Sequence, residues 1–412
     1  MKPAMKHIQF IFAILALTFI ACDDDFLNQP PLDRITENDV WSDKNLTDTY
    51  LFKIYDRMPW DYLEDFWGVG GSHRDALSDL AMGTYSWTTL NNTYRPGNWG
   101  TANNTWPIDW WGYDVIWKIN YSLENIEAAS AAVFTEEERN HRLGELLFMR
   151  AYSYFAMVKR YGGVPIILEA QTPETTPEEE YFPNRNTEKE VYDQILSDAQ
   201  AAFDLLPNRW SSQKGRASKW AAKSLESRAA LYAGSIAKYG TVQLEGLVGI
   251  PTSDANSYYQ TALNAAQKII AESGYGLFNK YPDPSENYAK LFLDETEEET
   301  IFMKVWIPFE KGHSYDLHNV PYSYRVDWSG SMSPSKQLLD SYEMLDTGLL
   351  PSENGSGYDA NSPFENRDPR MRGTLLTNND IFQGLPVEIW YGTETNGEID
   401  TNKGTGIGKD GL

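Results

Sequence analysis

Apolar residues recur every three or four positions through much of the chain between residues 45 and 273, with polar residues between them. This spacing is typical of helices that bury one face. It predicts helices over Asn45–Met58, Val115–Val133, Glu136–Tyr161, Thr187–Leu206, Ser218–Tyr239 and Asp254–Ser273. From residue 115 onward the helices follow one another along the chain, so we expect two consecutive helix pairs and the first helix of a third pair.

The longest predicted helix starts near Glu136 and ends at the glycine pair Gly162–Gly163. Thr135 and Glu138 have the spacing of a capping box, which fixes the start of the helix. Glycine readily adopts the left-handed conformation that ends a helix, and Pro165 prevents its continuation. Two apolar stripes run along the helix, so we expect it to pack on both sides, between the helices before and after it. These stripes contain Leu143, Leu147, Ala151, Tyr154 and Val158, and Phe148, Tyr152 and Phe155.

Helical periodicity is absent between residues 59 and 114, where Gly, Asn, Asp and Pro are frequent. Eight of the 14 tryptophans lie in this segment or directly beside it. Disordered segments are poor in tryptophan, so we predict an ordered loop, and long ordered loops commonly carry ligand sites. A second aromatic loop, His313–Gly330, lies between a predicted strand at Thr300–Ile307 and a predicted short helix at Ser335–Met344. The sequence from Asp346 onward predicts mostly turns.

Composition narrows the classes of function. The chain has 412 residues and is 41% hydrophobic, which is enough to bury a large core in one or two domains. Its formal net charge of −24 argues against nucleic acids and anionic lipid headgroups as ligands, because both are negatively charged. The charge favours uncharged or cationic ligands.

The N-terminal segment Met1–Ala21 has the features of a secretion signal, with the apolar run Phe10–Ile20 too short to span a bilayer stably. Cys22, the only cysteine of the chain, follows directly and resembles the lipidated residue of a bacterial lipoprotein box, with Phe19 where the box usually has leucine. The alternative is an ordinary cleavage site beside a chance cysteine. The acidic run Asp23–Asp25 resembles the signal that sends Bacteroidetes lipoproteins to the outer leaflet, which indicates a membrane anchor and not a membrane span.

No catalytic or metal-binding motif stands out in the sequence. The chain has no HExxH or CxxC pattern, and its five histidines are scattered. His313 and His318 lie in a loop, which is weak support for a metal pair, and the GTGIGKD segment lacks the spacing of a P-loop. Asp75, Asp79 and Asp109 lie in the first aromatic loop, but their spacing does not single out an acid–base pair. We therefore predict a protein that is not an enzyme and that uses no metal or cofactor.

The two aromatic loops contain the residue types of a carbohydrate site. Aromatic rings cover the apolar C–H faces of sugar rings, while amide, carboxylate and guanidinium groups bind the hydroxyls. We predict ligand contacts from Trp87, Trp99, Trp106, Arg74, Asp79, Asn98, Tyr324 and Trp328. Trp110, Trp111 and Trp117 lead into the predicted helix at Val115–Val133, so we expect these three side chains to pack in the core.

Seven segments of the chain occur in the following order: CDDDFLNQPP, WKINYSLENI, ELLFMRAYSYFAMVKRYGGVP, TEKEVYDQILSDAQAAFDLLP, GRASKWAAKSLESRAALYAG, SPSKQLLDSYEMLDTG and ENRDPRM. Each segment alone is a weak signal. Together, from Cys22 to Met371, they resemble the SusD/RagB family of Bacteroidetes outer-membrane lipoproteins. The family normally continues with a helix that completes the last repeat pair, so we expect this sequence to be truncated relative to the family.

This resemblance implies a mainly α fold, in which tetratricopeptide-like helix pairs form an α–α superhelix with long irregular ligand-binding loops and a few short strands. The match to tetratricopeptide repeats is in architecture only, because the helix spacing is irregular. The implied domains are a signal peptide over 1–21, a helical-repeat region over 22–274 that includes the aromatic loop 59–114, and a C-terminal region over 275–412.

The function implied by the resemblance is nutrient uptake. Such a lipoprotein is anchored in the outer membrane, faces the cell exterior, captures oligosaccharides and delivers them to a TonB-dependent transporter of SusC type. A peptide-binding uptake lipoprotein of the same family is the first alternative. A surface glycosidase is the second.

Overall fold

The structure is a computed structural model that describes residues 35–60, 74–83, 110–173, 176–211, 215–294, 298–307, 309–312, 319–320, 332–387, 393–395 and 398–400. In these ranges the helices are α1 Glu37–Ser42, α2 Lys44–Arg57, α3 Tyr113–Ala128, α4 Glu136–Tyr161, α5 Glu188–Leu205, α6 Lys219–Tyr239, α7 Ala255–Glu272, α8 Pro284–Leu291, α9 Lys336–Ser341 and α10 Pro369–Thr374. The strands are β1 Ala81–Gly83, β2 Met332–Pro334, β3 Ile381–Phe382, β4 Leu385–Pro386, β5 Thr393–Thr395 and β6 Glu398–Asp400. None of the described helices is long and apolar enough to cross a membrane.

The helical periodicity of the sequence predicts α2 to α7 correctly, with boundaries that differ by a few residues. The largest difference is at α3, which ends at Ala128 and not at Val133. The predicted capping box at Thr135–Glu138 is present, and Thr187 and Glu190 form a second one at the start of α5. Ser218 caps α6, because its hydroxyl accepts a hydrogen bond from the Ala221 amide.

The middle of helix α4 lies at the centre of the core, whereas its first residues are exposed and Leu143, Leu147 and Tyr152 of the predicted stripes are half-buried. Its buried residues include Phe148, Tyr154 and Val158, and also Leu146 and Met149, which lie outside the two predicted stripes. It packs against α3 on one side and α5 on the other, as its sequence predicts. The core is therefore built around this helix.

Successive helices run antiparallel. Along α4 and α5, Arg150 meets Asp198, whereas Phe155, farther along α4, meets Tyr192, earlier on α5. Between α6 and α7, the Ser227 hydroxyl donates to a carbonyl of α7, and the two helices continue in close contact. Helices α3 to α7 thus form a row of side-by-side neighbours.

The glycine pair at the end of α4 is required by close backbone neighbours. Gly162 has a φ of +69°, and a Cβ there would lie 2.3 Å from the carbonyl oxygen of Leu247. A Cβ on Gly163 would lie 2.0 Å from the carbonyl oxygen of Asn186. The Gly163 amide donates to the Leu247 carbonyl at 2.7 Å. The pair therefore ends the helix and also admits two other loops to its end.

Charged residues are buried at two points along α4. The Glu145 carboxylate, on one side, accepts hydrogen bonds from Arg216 at 2.8 Å and from the Tyr55 hydroxyl at 2.9 Å. Arg150, on another side, donates to both oxygens of Asp198, at 2.7 and 2.8 Å. Burial raises the pKa of Glu145, and the hydrogen bonds from Arg216 oppose that shift. These pairs fix α2, α5 and the start of α6 against α4, since an unpaired buried charge would be costly.

The predicted strand at Thr300–Ile307 is wrong. The chain there forms bends and irregular backbone, with one isolated bridge between Ile307 and Lys311. Its apolar side chains have another role: the Phe302 ring lies 5.0 Å from Phe148 and 5.4 Å from Trp60. A short apolar run indicates burial, but it does not by itself show that a neighbouring strand is present.

The C-terminal part of the described chain is a smaller set of turns and short helices. Arg367 is buried there and donates to the carbonyls of Leu339 and Tyr342, at 2.6 and 2.9 Å. Met371 and Val387 are also buried. The division of the chain at residues 274 and 275 stays a prediction.

Candidate functional site

The two aromatic loops of the sequence are joined at their stems by a short ladder. Strands β1 and β2 pair antiparallel, with Ala81 opposite Pro334, Met82 opposite Ser333 and Gly83 opposite Met332. Residues opposite each other in such a ladder have Cα atoms about 5 Å apart. The first aromatic loop continues directly after Gly83, and the second ends at Gly330, two residues before Met332. We call this β1–β2 ladder, with the turns next to it, the clasp.

Ser335 strengthens the clasp from the adjacent helix. Its amide donates to the Leu80 carbonyl at 3.0 Å, and its hydroxyl donates to the Asp79 carbonyl. The same hydroxyl caps α9 by accepting from the Leu338 amide at 3.0 Å. Ser335 therefore ties both strands to the start of a helix.

The apolar contacts of the clasp are few. Ala76 and Ala81 are buried in a small cluster, with Leu77 and Met332 partly buried against them. This cluster is distinct from the large core around α4. Among the residues that the structure describes, the clasp is therefore held mainly by backbone hydrogen bonds and a short apolar contact.

Two of the predicted ligand-contact residues lie in the described part of the chain, both beside the clasp. Arg74 is the first residue of a 3₁₀ turn, Arg74–Leu77, and Asp79 is an exposed residue between that turn and β1. The other predicted residues lie outside the described residues: Trp87, Trp99, Trp106, Asn98, Tyr324 and Trp328. The proposed lipidation residue Cys22 also lies outside them.

One of the three tryptophans expected in the core is on the surface. Trp110 is half-buried against the main core, and Trp117 is half-buried and stacks on Tyr121 at 4.9 Å. Trp111 is 53% exposed. It precedes the first residue of α3, so the helical spacing that places Ile116 in the core does not apply to it.

Trp111 belongs to an aromatic group at the C-terminal end of α4. Its ring centroid lies 5.0 Å from that of Tyr161, edge-on, and 5.1 Å from that of Tyr113. The Tyr161 hydroxyl accepts from the Trp110 amide at 3.0 Å. The Tyr113 hydroxyl donates to the Pro165 carbonyl at 2.6 Å, and burial raises its pKa.

Arg185 binds the same helix end and was not singled out from the sequence. Its Nε donates to the Gly163 carbonyl at 2.7 Å, and one Nη donates to the Tyr161 carbonyl at 2.5 Å. These are carbonyls that a helix C-terminus leaves unpaired. The sequence signal is weak, because the contact depends on a loop that returns from 24 residues later.

Within the described residues, no group of three or more His, Cys, Asp or Glu side chains is arranged to hold a metal ion. The buried pair of Glu145 and Arg216 is satisfied by its own contacts and by Tyr55. These buried charges hold the scaffold together.

Comparison with known proteins identifies the family. A SusD-like family, described as "Starch-binding associating with outer membrane", matches residues 25–231, half of the chain. This chain belongs to the SusD family. The SusD family description that includes RagB matches residues 298–411 as well. The family predicted from the seven segments is therefore confirmed.

Curated SusD relatives are similar at low identity. A SusD-like protein of Bacteroides ovatus is 25% identical over 359 residues, which are 84% of this chain and 59% of that protein. The SusD-like protein P25 of Formosa agariphila is 27% identical over 180 residues, which are 43% of this chain and 29% of that protein. The chain thus spans 59% or less of the length of these relatives.

Solved structures of the SusD family confirm the mainly helical, tetratricopeptide-like fold. A SusD-like protein of Bacteroides fragilis aligns with a TM-score of 0.61 and 26% identity, over 83% of this chain and 62% of that chain. A SusD-like carbohydrate binding protein of the same species aligns with a TM-score of 0.63 and 20% identity, over 86% of this chain and 64% of that chain.

Proposed function

We propose that this SusD-family chain binds glycans at the clasp and the two aromatic loops that it joins. The observation that carries this proposal is the pairing of Gly83 with Met332. Trp87 follows Gly83 by four residues, and Trp328 precedes Met332 by four residues. Four residues of chain span at most about 14 Å, so the pairing limits how far apart these two tryptophans can be.

The residue types of the two aromatic loops are those of a carbohydrate site. Tryptophan and tyrosine offer flat apolar faces, and Arg74, Asp79 and Asn98 offer donors and acceptors for hydroxyls. The structural neighbour from Bacteroides fragilis that is named a SusD-like carbohydrate binding protein supports the same ligand class. Binding without catalysis is the proposed activity.

The expected affinity is modest. One aromatic stack contributes on the order of 1 kcal/mol, by analogy with aromatic pairs. Two or three stacks with some hydrogen bonds then give roughly −4 to −8 kcal/mol, which corresponds to millimolar to micromolar dissociation constants. Such affinity is suitable for a ligand that is captured and then passed on.

The cellular setting is part of the proposal. Cys22 with the acidic run after it would anchor the protein in the outer membrane, facing the cell exterior. The family description, which associates starch binding with the outer membrane, supports this location. The glycan would then be delivered to a TonB-dependent transporter of SusC type.

Affinity electrophoresis of the protein in gels containing a panel of polysaccharides tests the binding function. We expect at least one polysaccharide to retard the protein, and Trp87→Ala combined with Trp328→Ala to abolish the retardation. Tyr239→Ala is the matched control, because Tyr239 is 75% exposed on α6, outside the clasp. Failure of every glycan to retard the protein would contradict the proposal, and co-purified peptides in native mass spectra would then favour the peptide-binding alternative. Release of sugar by the purified protein would instead indicate a glycosidase.

A further inference from the structure

The C-terminal end of α4 presents an exposed ring and an exposed cation that the clasp does not use. Trp111 supplies the ring and Arg185 the cation, and both are exposed. Tyr161, the last residue of α4, contacts both of them: its ring packs against Trp111, and its carbonyl accepts from Arg185. The two groups therefore belong to one patch of the surface.

The Trp111 ring is held in place although it faces solvent. Tyr161 and Tyr113 contact it from two directions, at interplanar angles of 78° and 56°. Each tyrosine is itself fixed by a hydrogen bond through its hydroxyl, one from the Trp110 amide and one to the Pro165 carbonyl. A ring that is already fixed loses little conformational entropy when a ligand covers it.

Arg185 is oriented by the backbone, and hydrogen-bond donors remain on it that bind none of the residues the structure describes. Two of the five N–H groups of an arginine are used in its bonds to the carbonyls of Gly163 and Tyr161. In the part of the chain that the structure describes, no carboxylate lies within ion-pair distance of Arg185. A guanidinium fixed in this way matches the planar shape of a carboxylate.

Arg185 places a positive charge on the surface of an acidic chain. A net charge of −24 predicts uncharged or cationic ligands. However, charges in solution are screened beyond about 8 Å at physiological ionic strength. A ligand carboxylate placed at Arg185 is therefore screened from acidic residues that lie farther away than this distance.

We propose that Trp111 and Arg185 form a subsite for a sugar residue that carries a carboxylate, such as a uronic acid. The sugar ring lies on the exposed face of the indole, and the carboxylate accepts from Arg185. This subsite rests on the proposed glycan-binding function and deepens it, because it names the chemical class of one bound residue. No bond is formed or broken.

The test compares each acidic oligosaccharide with a neutral copy of itself. The probes are oligomers of galacturonate, of mannuronate and guluronate, and of glucuronate, each beside the same oligomer with its carboxylates reduced to alcohols. Isothermal titration calorimetry with the full chain measures both dissociation constants. We expect the wild type to bind at least one acidic oligomer about three- to tenfold more tightly than its reduced copy, by the strength of a charge-assisted hydrogen bond at an exposed site.

Two variants separate the ring from the cation. Arg185→Gln should remove the preference for the acidic form and leave binding of the reduced form unchanged. Trp111→Ala should weaken both forms by up to about tenfold, because one aromatic stack is lost. Trp111→Phe should restore part of that loss, and thermal unfolding of each variant shows that the fold is kept.

Matched controls lie elsewhere on the surface. Phe292 is 70% exposed and meets Tyr288 edge-on at 5.3 Å, much as Trp111 meets its tyrosines. Arg372 already pairs with the carboxylates of Glu365 and Asp380. Phe292→Ala and Arg372→Gln should bind every probe as the wild type does.

The outcomes distinguish the subsite from the general function. Equal affinity for acidic and reduced forms, or variants of Trp111 and Arg185 that bind like the wild type, would overturn the subsite while glycan binding at the clasp stands. Binding of neutral glycans only would likewise overturn the subsite and leave glycan binding at the clasp standing. Failure of all glycans, in this assay and in affinity electrophoresis, would overturn both proposals together.

Discussion

The scaffold around α4 and the clasp are stabilised by contacts of different kinds. At α4, side chains from successive helices surround the helix, and buried charges such as Glu145 and Arg150 meet partners on other helices. At the clasp, a three-residue ladder is supported by two buried alanines and by Ser335. Within the described ranges, the first region has many mutually dependent contacts, whereas the second has few.

This difference suits the proposed binding function. Regions with few buried apolar contacts open at lower free energy than the global unfolding of a domain. A clasp of this kind can open and close around the stems of two loops while the helices stay folded. Mutations in the two regions should therefore have effects that differ in size and in extent.

The largest effect is expected from Tyr154→Ala in the scaffold. Tyr154 is fully buried, so emptying its site should lower the free energy of unfolding by roughly 3–5 kcal/mol. Urea unfolding measures this. Tyr154→Phe is the matched control, since it removes only the hydroxyl that bonds with the Ile167 backbone and should cost about 1–3 kcal/mol. Unchanged unfolding with loss of glycan binding would show that α4 is not the centre of the scaffold.

A smaller and local effect is expected from Ser335→Ala in the clasp. Loss of the helix cap should cost about 1 kcal/mol, and the hydrogen bond to Asp79 is lost with it. Faster hydrogen exchange of the residue 335 amide should report this, with little change in global unfolding. Ser341→Ala, at the other end of α9, is the control, because its hydroxyl bonds only within the helix. A global loss of stability from Ser335→Ala would mean that the clasp and the scaffold unfold as one unit.

The smallest effect is expected at the edge of the scaffold, where Lys44 of α2 meets Glu138 of α4. The hydrogen bond from Lys44 is the main cause that lowers the pKa of Glu138 to about 2, and the Thr135 amide adds to it. A folded-state pKa below the ordinary value stabilises the fold above pH 4.5, and this contribution is lost as pH falls toward 2. Both side chains are largely exposed, so the pair contributes only about 0.2–1 kcal/mol.

Unfolding of Lys44→Met at pH 6 and at pH 3 measures that contribution. The difference in the free energy of unfolding between wild type and Lys44→Met should shrink at the lower pH. At pH 3 the Glu138 carboxylate is partly protonated in the folded variant and in the unfolded chain. Lys53→Met, at an exposed site on the same helix, should show no such trend. A constant difference across this pH range would show that Glu138 gains nothing from Lys44.

The scaffold could be predicted from the sequence because its signals are local. Helical spacing and the capping boxes at Thr135 and Thr187 lie within a few residues of the helix starts that they determine. The buried charges could not be predicted in the same way. Glu145 lies among apolar positions of α4, but its partner Arg216 is 71 residues away. A charged residue in a helical sequence is ordinarily expected to face solvent. Its burial becomes evident only when its partner is known.

The candidate site was less predictable for the same reason. The aromatic loops were found by composition, but the pairing that joins them connects residues about 250 positions apart, such as Gly83 and Met332. Three-residue strands have too little alternation to be recognised. We expected Trp111 in the core because it leads into α3. However, residues that precede a helix do not follow the helical period.

The glycine pair at the end of α4 has a consequence for the order of folding. The Gly163 amide finds its acceptor on Leu247, and its Cα lies against the carbonyl of Asn186. Chains are synthesised from the N-terminus, so all of α4 can be synthesised before the segments that contain Asn186 and Leu247. Contacts between residues distant in sequence also form slowly, because a long loop must close first. Pulse-labelled hydrogen exchange at the Gly163 amide would time this step, and we expect the last turn of α4 to gain protection later than its middle.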